Sequence, residues 1–246
     1  MTTLERGDER FFFGLACAMA AIIVAGFSLN LAMGRSSFSL PLIYHVHGVV
    51  FFGWVALYLA QNWLVTSGNV ALHRRLGWLS ALWVPAMVVA GTLMTVAAVR
   101  RTGGPFFFDA NVFLISNPLG LLAFAGLVFA AVRMRRQTDW HRRLMLCAMA
   151  TLTGPGFGRI LPMPLFIPWA WEVGNLVTLV FPLAGMLADR RRYGRVHPAW
   201  YWGIGISVAW LMAGIAIANT AFGVGLTERV LAGFPGAARP MGAYLP

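Results

Sequence analysis

Lysine is absent from this 246-residue chain, and acids are scarce. Nineteen arginines face eight Asp and Glu, giving a net charge of +11, yet only 11% of residues are charged. A soluble domain needs about 25% charged residues to cover its surface, so lipid must be the solvent for most side chains. Without lysine there is no Schiff base to retinal, which excludes a rhodopsin. Only two cysteines occur, Cys17 and Cys147, both inside apolar runs, so there is no disulfide framework. The chain also lacks a Gly-x-Ser-x-Gly elbow, a His-Glu-x-x-His metal motif and a Walker-type phosphate loop. Its five scattered histidines do not supply the clusters of a histidine-box enzyme. Classical hydrolases and ATP-driven machines therefore have no support, and no nucleic-acid partner is expected, because the basic charge sits in short loops between apolar spans.

What the chain does have is hydrophobicity: 59% apolar residues and a mean hydropathy of +0.71. About 20 apolar residues are needed to cross a bilayer as a helix. Seven stretches satisfy this, at about 11–33, 43–66, 73–99, 111–132, 141–163, 168–188 and 199–222. The expectation is an all-α, polytopic bundle of seven helices, one transmembrane domain over 1–246, with the lipid bilayer as its first partner. The first stretch is long for a signal peptide and reads as a retained helix. The tail, 223–246, reads as a short interfacial helix with an extended end. Thirteen arginines fall at the N-terminus and after spans two, four and six, against six on the other side. The positive-inside rule then places the N-terminus in the cytoplasm and the C-terminus outside, across a bacterial inner membrane.

Polar groups inside such a bundle are costly and mark functional sites. Near the outer ends of the spans stand Asn30, His47, Asn117, Arg159, Glu172 and Asn175. They suggest an outward-facing polar cavity that binds or transports a small molecule, with an Arg159–Glu172 ion pair at similar depth. The stripe through His47 reads Phe51, Trp54, Tyr58 and Gln61 and should face inward. The stripe through His45 reads Val49, Phe52, Ala56 and Leu59 and should face lipid. The fifth stretch is interrupted by Gly154, Pro155, Gly156 and Gly158, as a kink or as the wall of a pocket.

A second pattern lies at the inner surface. His73, His141 and His197 each stand at the start of an odd-numbered span, and two of them precede paired arginines. A neutral histidine nitrogen ligates haem iron, and arginines grip carboxylates through paired charge-assisted bonds. His73 and His141 as ligands, with Arg74, Arg75, Arg142 and Arg143 beside the propionates, would make a haem b site. A third alternative is a structural or assembly subunit, in a homo-oligomer or a larger membrane complex.

Gln61, followed by His73-Arg74 and Gly77, and later Trp140-His141-Arg142-Arg143 with Met145, resemble a bacterial family of multi-pass membrane proteins of unknown function. That family carries an H-R-x-x-G type motif after an early helix and an H-R-x-x-M type motif later. The resemblance covers about 45–160. It implies a helical membrane fold and no particular activity. The arrangement is also loosely similar to b-type membrane cytochromes, but without histidine pairs on both sides of the membrane.

Overall fold

A computed structural model describes residues 3–245, with side chains from residue 7 onward. The described residues form helices joined by turns, without strands. Eleven α-helices form: α1 Thr3–Ala32, α2 Leu42–Thr66, α3 Val70–Gly77, α4 Ser80–Thr102, α5 Ala110–Arg133, α6 Thr138–Thr151, α7 Gly154–Ile160, α8 Ala170–Leu176, α9 Val180–Tyr193, α10 Pro198–Ala218 and α11 Ala221–Leu231. Among the described residues, six helical stretches are long and apolar enough to cross a membrane: Gly7–Ala32, Leu42–Thr66, Ser80–Thr102, Ala110–Arg133, Ala170–Tyr193 and Pro198–Ala218. The chain is thus a multi-pass membrane protein.

Two of the expected spans differ in outline. The third begins at Ser80, not at residue 73, because α3 ends at Gly77 and a turn through Trp78 and Leu79 separates it from α4. His73 therefore lies on a short helix of its own rather than at the mouth of a span. The fifth stretch is not one helix but two. α6 stops at Thr151, the Thr153 hydroxyl donates to the Ala150 carbonyl, and α7 restarts at Gly154-Pro155. Proline lacks the N–H that would continue the ladder, so the run breaks where Gly and Pro crowd together.

The break serves packing. α7 lies against α1 where Gly26 and Gly156 face each other, and a Cβ on either would run into the partner's backbone. Small residues let membrane helices approach in this way. None of the residues from Gly154 to Gly158 lines the large cavity described below. The central core joins α1, α2, α4, α5, α6, α9 and α10 through residues such as Met19, Trp54, Met87, Phe124, Leu127 and Trp200. The expected tail helix is α11, which packs on α4 and α5 and is followed by a short 3-10 turn at Pro235–Ala238.

Candidate functional site

The arginine-rich end of the bundle is built around buried carboxylates. Arg143 of α6 grips Asp189 of α9 with both arms of its guanidinium, Nη2 to Oδ1 at 2.6 Å and Nε to Oδ2 at 2.9 Å. The Trp200 indole of α10 donates to the same carboxylate at 2.8 Å, and the His197 backbone N–H at 3.2 Å. Both charged side chains are almost fully buried, at 3% and 6% exposed. A buried charge survives only when paired and hydrogen-bonded, and here both carboxylate oxygens accept. Asp8 of α1 makes a second knot, pairing with Arg142 at 2.8 Å and Arg192 at 2.6 Å and accepting from the Tyr193 hydroxyl. Asp139 bonds Arg142 and Arg143 at 2.5 and 3.0 Å. Four helices are tied together at one end.

Beside these knots lies a cavity of about 1950 Å³, larger than the roughly 300–1,000 Å³ of an ordinary small-molecule site. Trp54, Tyr58 and Gln61 of α2 line it, with Val84 of α4, Val128 of α5 and both His73 and His141. The inward stripe of α2 was legible in the sequence: Trp54 and Tyr58 are buried, whereas Val49 on the other face is 74% exposed. The Trp54 indole N–H is buried with no protein partner.

His73 and His141 meet in this cavity, ring centroids 6.2 Å apart and planes crossed at 79°. Each ring is anchored through Nδ1. His141 Nδ1 lies 2.9 Å from the carbonyl of Ala131, at the end of α5. Gln61 holds His73: its amide nitrogen donates to His73 Nδ1 at 2.6 Å and to the His73 carbonyl at 3.1 Å, while its oxygen accepts from the Gly77 N–H at 2.9 Å. Both rings line the cavity. Burial first, then the neighbouring His141 and Arg74, lowers the pKa of His73 from its ordinary value, which favours the neutral ring. A metal needs a neutral ring nitrogen.

Imidazole nitrogens bind a metal at about 2.0 Å, so two rings sharing one metal stand about 6 Å apart between centroids. The observed spacing has that value. Of the four arginines expected near propionates, Arg142 and Arg143 are committed to Asp8, Asp139 and Asp189. Arg74 lines the cavity and makes no ion pair among the described residues, and the same holds for Arg136.

No family model, no curated protein and no solved structure matches the chain.

The residues expected to form an outer cavity are only partly brought together. His47 stacks on Phe51 at 4.1 Å. The Arg159 guanidinium sits 4.0 Å over the Phe27 ring and donates to the Pro155 carbonyl. Glu172 makes no ion pair with Arg159 among the described residues. Asn117 and Asn175 each donate to the carbonyl four residues earlier, at Phe113 and Trp171. These bonds stay within their own helices and join no neighbours. Asn30 is half-buried near the end of α1. His45 turns back to the Leu40 carbonyl at 3.1 Å.

Sequence reasoning missed Asp8, Asp139 and Asp189 as the partners of the arginines. A signal was available: five of the eight acids in the chain, Asp8, Asp139 and Asp189 among them, stand near the arginine-rich span ends as natural countercharges.

Proposed function

We propose that this is a haem b-binding integral membrane protein, with the haem held between His73 and His141 at the arginine-rich end. The crossed imidazoles at 6.2 Å carry the reading. The cavity volume supports it. So does the anchored Nδ1 of His141, since metal-binding histidines normally donate their second nitrogen to a fixed acceptor. Arg74 and Arg136 are free to receive the propionates. Bound haem would supply one-electron or small-ligand chemistry. His73 and His141 would hold the iron, the apolar lining from Trp54, Val84 and Val128 would face the ring, and Arg74 and Arg136 would receive its carboxylates. With thirteen arginines at this end, the positive-inside rule sets the site at the cytoplasmic face of a bacterial inner membrane, with seven crossings counting the broken α6–α7 segment as one.

A second reading has its own observation. At the opposite end the His47 Nδ1 and Arg159 Nε atoms are buried without partners, which suits a small anionic ligand.

An absorption spectrum of the purified protein separates the two. The haem reading expects a Soret band that His141→Ala abolishes. A folded, colourless preparation from haem-replete cells that also takes up no added hemin would end it. If added carboxylates then raised the melting temperature through Arg159, the anion reading would replace it.

A further inference from the structure

We infer that the two histidines are unequal ligands, His141 fixed and His73 labile, so that haem in this site opens an iron position to small neutral ligands on the His73 side. This rests on the haem reading above. The inequality comes from the groups that hold each Nδ1. A carbonyl oxygen can only accept, so at His141 the Ala131 carbonyl, 2.9 Å away, fixes the proton on Nδ1. Its Nε2 then carries a lone pair ready for iron.

His73 is held the other way round. The Gln61 amide nitrogen donates to Nδ1 and to the His73 carbonyl, and the amide oxygen accepts from Gly77. Nδ1 is therefore the acceptor and the proton sits on Nε2, the atom that must be bare to bind metal. For His73 to ligate, the proton must move to Nδ1 and the amide must turn over. Its NH2 group would then face the Gly77 N–H, and its oxygen would face the His73 carbonyl. Favourable contacts become repulsive ones, so the iron bond at His73 competes with a hydrogen-bond set, whereas nothing competes at His141. When an external ligand binds iron, the His73 nitrogen leaves, no electron is transferred, and the ring recovers its amide-bonded form.

A glutamate at position 61 removes the conflict at Gly77 and sets a negative charge against the Nδ1–H, which outweighs the contact that stays at the His73 carbonyl. One carboxylate oxygen would accept from His73 Nδ1–H and the other from Gly77, which locks His73 in its ligating form and raises its basicity. The test uses the full-length protein in detergent, loaded with haem b, reduced with dithionite and exposed to carbon monoxide. Wild type is expected to bind carbon monoxide with a shifted Soret band, and Gln61→Glu to bind it at least tenfold more slowly. His73→Ala should keep haem and bind carbon monoxide faster than wild type. Haem-loaded wild type that is inert to carbon monoxide overturns the inference, as does a haem-loaded Gln61→Glu variant that reacts like wild type. Should the glutamate variant fail to load, the wild-type reaction alone decides. Wild type that shows no haem band at all overturns the parent reading instead.

Discussion

The two ends of the bundle solve the same problem by different means. At the arginine-rich end, side chains neutralise side chains: Arg143 meets Asp189, and Asp8 gathers Arg142, Arg192 and Tyr193. At the other end, side chains serve the backbone. Arg239 donates to the carbonyls of Gly103, Gly104, Pro105 and Phe108, Asn111 to the Ala218 carbonyl, and Arg100 to that of Val230. The Asp109 carboxylate accepts from the Ala243 N–H, which holds the tail over the α4–α5 turn. One end is a network of charges around a cavity, and the other is a cap sewn onto loop carbonyls. The difference shows that a basic chain in lipid need not match each arginine with an acid, because carbonyls left over at helix ends are acceptors too.

The largest expected effect falls on the charged end. Asp189→Ala leaves the buried Arg143 guanidinium with only the exposed Asp139 as its acid partner, and should cost about 3 kcal/mol of stability, read by thermal or denaturant unfolding in detergent. Pairing it with Arg143→Met should recover most of the loss. Equal instability of the single and double variants would show that Asp189 acts by packing alone.

Arg239→Ala, at the opposite end, should cost less, about 1–3 kcal/mol, since loop carbonyls near the membrane surface regain water. It should also leave the spectrum of the histidine site unmoved. A larger loss than for Asp189→Ala would reverse the proposed ranking of the two ends.

The smallest effect depends on pH. His197 caps α10 by accepting from the Ala199 N–H at 3.2 Å through Nδ1. Burial first, then the Arg143 charge, lowers its pKa from the ordinary value, while Asp139 and Asp189 pull the other way. The unfolded chain thus takes up the proton more readily, and stability is whole above about pH 6.5 and falls as the pH drops through it. His197→Asn keeps a cap and removes the titrating ring, so it should flatten that part of the pH–stability curve.

The fold was legible in the sequence wherever apolar length alone decides. The long uninterrupted spans and the inward face of α2 follow from hydropathy and period. What stayed hidden were the cuts. His73 seemed to open a span because Trp78 and Leu79 are apolar enough to continue one, and only the Gln61 clamp on Gly77 shows why the chain turns there. The histidine pair was readable from its arginines. The roles of those arginines were not, since Arg142 and Arg143 answer to acids on helices far along the chain. The outer polar residues looked alike in sequence. Asn117, Asn175 and Arg159 each donate to the carbonyl four residues earlier on their own helix, but Arg159 keeps a buried Nε with no partner among the described residues.

Arg143 and Asp189 stand 46 positions apart, which has a bearing on assembly. The ribosome delivers the guanidinium well before the carboxylate that makes its burial tolerable. Segment 138–160, cut in two and weakly apolar at its start, has little to hold it in lipid until α9 arrives. The Arg143–Asp189 pair cannot form until α9 has been made, so the arginine-rich face depends on a helix that follows α6 in the chain.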